Sequence, residues 1–411
     1  MISLADARAA VLAVCAPLPA RAVALADAVG CVTAEAVRSL ESVPPFVNSA
    51  MDGFAVRAAD TAGASEAGPV RLQVVDTLMA GMAPGRTVEA GEAIRIMTGA
   101  PLPDGADAVV MVERSRPAGS DEVDLTEEVR PGAAVRDAGD DVQPGDEVVP
   151  AGTLLRPAHL GVLASVGCTE VVVRPRPRVG LLSTGDELVP PGEPLSLGQI
   201  RDSNRPMLVA LVAAIGAEPI DLGRVPDDEA QLETRLRAGA QDCDVIVTSG
   251  GVSMGEADVV KLVLGRIASM DWMQIAIRPA KPFALGRIDG TPVLGLPGNP
   301  VSSFVSFQLL ARPGLRQMAG RTDLDHPCVA AVADAAMPRR PDGKTHFLRV
   351  RTTFDGARVH VAPVGAQGSH QLSATAGADG LAVLPDGDGV GPGDDLEVLL
   401  MAPEVTLATS S

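Results

Sequence analysis

Three glycine-bearing turns, each between a short apolar run and a helix-like run, carry most of the groups here that could do chemistry. They read STGDE (Ser183 to Glu187), TSGGVSMGEAD (Thr248 to Asp258) and LPGNPVSS (Leu296 to Ser303). Hydroxyls and free backbone N–H groups at such turns favour anions, and glycine lets an oxyanion or phosphate approach the main chain. Ser249, Gly250, Gly251 and Ser253 are the candidates to hold that ligand, because a plain strand-to-helix turn rarely needs so many glycines and hydroxyls together. Glu187 and Asp258 are the carboxylates that could recruit a divalent cation beside it. In the third turn, Pro297 and Asn299 lead into Pro300, and a helix start with Asn299 as N-cap explains half of the motif. Ser302 and Ser303 remain available to a ligand. The stretch IRPAKPF adds Arg278 and Lys281, whose directions are fixed by flanking prolines, as an anion clamp.

A second group of loops lies before Val179. PPFVNSAMDGFAVRAAD (Pro44 to Asp60) places Asp52 between apolar residues without helical or alternating order, as a ligand-contacting loop would, although a structural turn at Asp52-Gly53 explains it equally well. TGAPLPDGADAVV has the same character, with Thr98 at the end of the run AIRIM. In DAGDDVQPGD the spacing of Asp137, Asp140, Asp141 and Asp146 fails the EF-hand pattern, and a solvated turn is the better reading for most of them. DGKTHF is not a P-loop, since Pro338 stands where its first glycine would be. No serine-hydrolase elbow or zinc-protease helix is present, and the five histidines are too scattered to suggest a ligand set.

The elements that must position these groups follow from periodicity. Residues 3–15 read as an amphipathic helix with Ser3 as N-cap and Asp6 at its third position, stopped by Pro17 and Pro19. From 20 to about 175 the runs VRLQVVDTL, AIRIMTG and ADAVVMVE read as strands, followed by a helix near 157–165 with Gly167 past its end. From Val179 the pattern becomes strand, turn, helix. Strands such as VGLL, DVIV and PVLG are apolar throughout, as in a parallel sheet covered on both faces, and Asp202, Ser203 and Asn204 can cap the helix through Ile215. A last helix is expected over 300–318, and beyond His326 five runs joined by Gly/Asp/Pro turns predict a small all-β domain.

Composition narrows the partners. The 411 residues suffice for several domains of ~100–200 residues each. With 34 basic against 52 acidic residues and a net charge of -18, nucleic acid and anionic membrane are excluded as partners, and any anion site must be locally positive. Five scattered cysteines without CxxC give neither a disulfide framework nor a zinc spacing, which points to a reducing, cytoplasmic setting. The opening MISLADARAAVLAVC is interrupted by Asp6 and Arg8 and is too short to cross a bilayer.

Taken in order, the loops PPFVNSAMDGFAV, IMTGAPLPDGADAVV, AGDDVQPGD, VGLLSTGDELVPPGEPLSLGQIRDSN, VIVTSGGVSMGEAD, IRPAKPFALG and GLPGNPVSSFVSF closely resemble the molybdopterin molybdenumtransferase family of molybdenum cofactor biosynthesis. Its eukaryotic relatives include the carboxyl-terminal part of gephyrin. The resemblance spans about residues 3 to 400. It implies an enzyme that inserts molybdate into the dithiolene of adenylylated molybdopterin, with Mg²⁺-dependent release of AMP. It also implies a homodimer of four-part subunits, the α/β domain facing loops of the partner chain across the active cleft, with contacts to other cofactor-biosynthesis proteins allowed. The fold implied is α/β plus β: a doubly wound α/β molybdopterin-binding domain, a β-rich N-terminal half and a small C-terminal β-barrel-like domain. Laid on this chain, the parts are an N-terminal helix (1–26), an extended dimerisation domain (27–50 and 140–175), an inserted β-rich domain (51–139), the α/β domain (176–322) and the C-terminal β domain (326–405).

Carried over position by position, Asp52, Thr98, Glu187, Asp228 and Asp258 fall at catalytic positions of the family. Arg136, Asp141, Arg278, Lys281 and Ser369 line its cleft, and Glu187 with Asp258 would hold the metal. The sequence departs from the family pattern at Phe54, usually Tyr, at Arg278, usually Lys, and at Ala378-Asp379, usually Ala-Asn. Two other functions compete: a non-catalytic pterin-binding scaffold, against which the joint retention of Asp52, Glu187 and Asp258 argues, and a molybdopterin adenylyltransferase, against which the long β-rich half argues.

Overall fold

In the computed structural model, which describes residues 1–252, 259–356 and 358–401, the adjacent Leu181 and Leu182 belong to different cores. Side chains alternate across a strand, so a run that is apolar at every position must be covered on both faces. Leu181, Val245 and Val247 face Leu208, Val212 and Val305, whereas Leu182 and Ile246 face Leu232, Leu236 and Val263. The helices Asn204–Ala214 and Pro300–Ser306 therefore cover one side, and Glu229–Asp242 and Val259–Ile267 the other. The N-terminal helix, Leu4–Val14, joins the first of these cores through Ala7 and Val11, and its predicted cap is present, with Ser3 Oγ accepting from the Asp6 N–H at 3.0 Å.

This sheet lies in the first of two compact units, made of Met1–Arg21, Gly30–Ala34 and Val173–Ser411; the second comprises Ala22–Val29 and Glu35–Val172. Its strand order is Glu218–Val225, Arg178–Thr184, Val245–Ser249, Thr291–Leu296, Pro282–Ile288, Ser269–Gln274. The first four are parallel, as the apolar runs predict, but Pro282–Ile288 runs antiparallel to both of its neighbours. The cause is local: Asp289 and Gly290 both have positive φ (49° and 93°) between Ile288 and Thr291, a two-residue turn that joins strands only as a hairpin. The final helix runs from Pro300 to Met318 as predicted, with a π-helical stretch at Phe307–Ala311. Its buried Gln308 side chain meets the ring of His326, which burial pushes down to about 4.

The C-terminal part of this unit is a closed barrel. Thr345–Asp355, Arg358–Pro363, Cys328–Ala333, Asp395–Leu400 and Gly380–Leu384 pair in that order, and the last strand returns to the first. Closure leaves no free edge and encloses Val350, Val361, Ala382 and Val398. The two-residue strand Ile277–Arg278 adds in parallel beside Thr345 and His346, tying the loop IRPAK to the barrel wall. Asp379, where the family pattern has Asn, accepts the Thr352 N–H at 2.7 Å, a bond that needs only a side-chain oxygen.

The second unit is built around a six-stranded sheet in the order Ala108–Met111, Gly53–Val56, Glu92–Ile96, Val70–Leu78, Glu122–Leu125, Ser115–Pro117. Phe54 is buried within its core beside Val110 and Val123. The Pro157–Ser165 helix follows, ending before Gly167 at φ 76°. Among the described residues no helix is long and apolar enough to cross a membrane.

Candidate functional site

In the second unit, the segment from Val43 to Asp52 is laced by three others. Asn48 bridges Pro101 and pairs with Arg136, Ser49 exchanges backbone hydrogen bonds with Gly99 and Ala100, and Val43 accepts from the Asp141 N–H at 2.9 Å. Four residues singled out in the sequence, Asp52, Thr98, Arg136 and Asp141, are thereby carried by neighbouring backbone although they span 90 positions of chain. The direct contact is between the first two: the Thr98 hydroxyl and N–H both donate to Asp52 Oδ1 at 2.7 Å. Those two bonds, the hydroxyl's first, hold the Asp52 carboxyl below the usual carboxylate range. Gly53 is required for a reason other than turn conformation, since a Cβ there would lie 2.0 Å from the Val110 carbonyl oxygen of the adjoining strand.

In the first unit, the glycine turns lie at the carboxyl edge of the parallel strands. Gly250 and Gly251 have φ of 96° and 76°, a Cβ on Gly251 would fall 2.2 Å from Val260, and the Gly250 N–H donates to Leu296 O at 3.0 Å. The second and third turns thus abut. In the first turn, a Cβ on Gly185 would lie 2.2 Å from Glu187 Oε2, so glycine lets the exposed Glu187 carboxylate fold back over the turn. Asp186 and Asp227 cross-bond to each other's backbone N–H, and Asp228 spends one carboxylate oxygen on the Gln231 N–H at 2.8 Å as N-cap of the next helix. Ser253 and Asp258 lie outside the described residues.

A cavity of about 370 Å³ gathers Arg278, Lys281, Pro297, Asn299, Ser302 and Ser369, residues from three separate stretches of sequence. None of the hydrogen bonds or ion pairs among the described residues engages Arg278 or Lys281 with a carboxylate. Between them Ala280 sits at φ 75°, a left-handed conformation that a residue with a Cβ adopts at a cost of about 1–3 kcal/mol. It is held there by Ile275 N–H to Lys281 O at 2.8 Å and by the pairing of Arg278 with the barrel strand. Ser369 is tied across the cavity, its carbonyl accepting from the Val301 N–H at 3.1 Å in the first turn of the helix that bears Ser302.

Sequence reasoning missed two contributors. Lys344 supplies a third cation to this cavity from within DGKTHF, a stretch informative only as a non-P-loop until the barrel strand brings it beside Arg278. Its ammonium donates to Asp342 at 2.8 Å, and that bond leads the interactions that lower Asp342 to about 2. Arg349, 1% exposed, donates to the carbonyls of Ala366, Gly368 and Gln371 and so shapes the loop carrying Ser369. A larger hollow of about 590 Å³ adjoins the first and shares Arg278, Pro279, Gln367 and Gly368 with it.

The arrangement can do two things chemically. Three cations around a hydroxyl-lined hollow can bind a tetrahedral oxyanion despite the acidic surface, and oxygen donors at the strand ends suit a hard cation such as Mg²⁺. Among the described residues no group of three acidic, histidine or cysteine side chains is close enough to hold a metal alone. The donor type at Glu187 fits Mg²⁺, which keeps several waters and takes one or two carboxylates.

Three family profiles match this chain in tandem: the MoeA N-terminal region, domains I and II, over residues 2–167; a probable molybdopterin-binding domain over 180–317; and the MoeA C-terminal region, domain IV, over 331–401. Molybdopterin molybdenumtransferase 2 of Mycobacterium tuberculosis is 41% identical over 370 residues, covering 89% of this chain and 90% of that protein. The molybdopterin molybdenumtransferase of Haemophilus influenzae is 38% identical, over 85% of this chain and 86% of the relative. Among solved structures, a molybdopterin biosynthesis MoeA protein from Pyrococcus horikoshii superposes with a TM-score of 0.78 at 33% identity, covering 98% of this chain and 99% of that one.

Proposed function

This chain belongs to the molybdopterin molybdenumtransferase family, and we propose that it inserts molybdate into the dithiolene of adenylylated molybdopterin, releasing AMP. The observation that carries this reading is the 370 Å³ cavity, where Arg278, Lys281 and Lys344 converge in a protein of net charge -18. Molybdate and the pyrophosphate linkage are both anionic, so such a cavity binds and orients the oxyanion by charge-assisted hydrogen bonds. Ser302 and Ser369 add neutral donors to its lining. The glycine turn at Ser249, Gly250 and Gly251 is assigned to the phosphate or pterin part of the substrate.

Glu187, with Asp258, would hold Mg²⁺, which supplies neutralisation of the charge that develops as the bond to AMP breaks. Asp52, kept ionised by Thr98, is a fixed negative charge suited to accepting a proton or orienting a cationic group. Asp228, Arg136 and Asp141 are assigned supporting contacts, and the working unit is a homodimer, to be checked by light scattering at micromolar concentration. A scaffold that only bound pterin would have no use for the Thr98 bonds to Asp52, and adenylylation would not call for domains I, II and IV.

The deciding experiment incubates the protein with adenylylated molybdopterin, molybdate and Mg²⁺ and follows AMP release and cofactor formation. Molybdate-dependent release is the expected result. Pterin binding without product would replace the enzyme by the scaffold.

A further inference from the structure

The motif DSN (Asp202 to Asn204) reads in the sequence as a helix cap, yet Ser203, at the N-cap position, makes no side-chain capping bond. Asp202 does the capping, accepting the Arg205 N–H at 3.2 Å. Asn204 is free for something else. Its side-chain Nδ2 donates to Ser249 Oγ at 2.8 Å and to the Gly298 carbonyl at 2.7 Å, using both of its protons on two different glycine turns. Asn204 is 9% exposed and Ser249 is 4% exposed.

We infer that Asn204 is a positioning residue that locks the second and third glycine turns into one rigid surface for the substrate. This rests on the assignment of those turns to substrate made above. Three observations support it together. The turns already touch, with the Gly250 N–H on Leu296 O and Gly250 Cα 3.7 Å from where a Cβ on Gly298 would stand. The strand pairing ends at Ser249 and Leu296, and beyond it the Asn204 amide bridges Ser249 to Gly298. The bridge also orients the Ser249 hydroxyl: by accepting from Asn204, its oxygen leaves the hydroxyl proton directed elsewhere. Finally, among the described residues Asn204 Oδ1 is buried without a partner. An acceptor left unpaired costs free energy, so the amide's two donors are what the position requires.

The chemistry predicts which substitution is informative. Asn204→Asp keeps the shape but sets a carboxylate oxygen against the Gly298 carbonyl, so that arm of the bridge becomes repulsive although the Ser249 hydroxyl can still donate to it. Asn204→Ala loses the bridge without adding charge and covers the case in which the acidic variant fails to fold. Hydrogen exchange read by mass spectrometry should show faster exchange in segments 247–252 and 296–302 of both variants, with the rest of the first unit unchanged. In the turnover assay, kcat for molybdate-dependent AMP release should fall at least tenfold in Asn204→Ala while the cooperative melt is retained. Unchanged exchange in both turns of a folded Asn204→Ala would overturn the inference, and so would faster exchange with unaltered turnover. If the unsubstituted protein itself releases no AMP, the proposed function fails, and exchange alone still decides whether Asn204 locks the turns.

Discussion

The two units assemble polar groups by opposite means. In the first, cations from distant parts of the chain surround a hollow, and two of them, Arg278 and Lys281, have no carboxylate partner among the described residues. In the second, a carboxylate, Asp52, is satisfied in advance by the hydroxyl and N–H of Thr98. An unpaired cation is ready for an anion that arrives, whereas a hydrogen-bonded carboxylate is fixed in charge and direction before anything arrives. The difference teaches that one unit is built to bind charge and the other to present it.

Four outcomes would break or sharpen that contrast. The largest effect is expected from Asp258→Ala, which should abolish molybdate-dependent AMP release in a protein that still melts cooperatively; undiminished release would remove Asp258 from the chemistry. Next, Lys281→Ala and Arg278→Ala should each lower kcat/KM for molybdate by about 10²-fold, the usual loss on removing one preorganised donor. Arg278→Lys should stay within about tenfold of the starting protein, and equal losses for Lys and Ala would mean that guanidinium geometry rather than charge is what matters.

The third outcome concerns stability in the binding unit. His326 has a folded value of about 4, depressed by burial, so between pH 6.5 and 4 the unfolded chain takes up a proton that the folded one refuses. Stability is therefore full above about pH 6.5 and falls as the pH drops through that window, by about 3 kcal/mol. Calorimetry across this range should show it, and His326→Gln should flatten the dependence. The smallest effect is expected in the presenting unit. Thr98→Val removes the hydroxyl, the stronger of the two donors that depress Asp52, so the carboxylate should protonate at a higher pH and the acid limb of the kcat/KM profile should shift upward. An acid limb that does not move would show that Asp52 is not the group it reports.

Much of the fold was legible because burial imposes patterns on local sequence. Apolar runs such as VGLL announced strands covered on both faces, Ser3 and Asp6 announced a helix start, and five short runs after His326 announced a small all-β domain. The antiparallel edge was legible too, in the Asp289-Gly290 pair, but the apolar character of PFALGRI and PVLGL obscured it. The candidate site was legible as loops and illegible as a place. Arg278 and Lys281 could be named from IRPAKPF, whereas Lys344 had no local sign, because its role comes from a strand pairing 67 residues beyond Ile277–Arg278. Asn204 was misread for a similar reason: a polar residue before a helix has a local explanation, and only the approach of Ser249 and Gly298 reveals another.

By itself, the sequence determined which side chains carry charge, where glycine permits close approach, and which family these loops resemble. Those are properties of residue type and short spacing, fixed by sterics and hydrophobic periodicity. The tertiary structure decided which charges stay unpaired, which hydroxyl holds Asp52, and that two glycine turns share one amide. Each depends on contacts between residues far apart in the chain, and these exist only once the sheet and barrel have brought them within hydrogen-bonding distance.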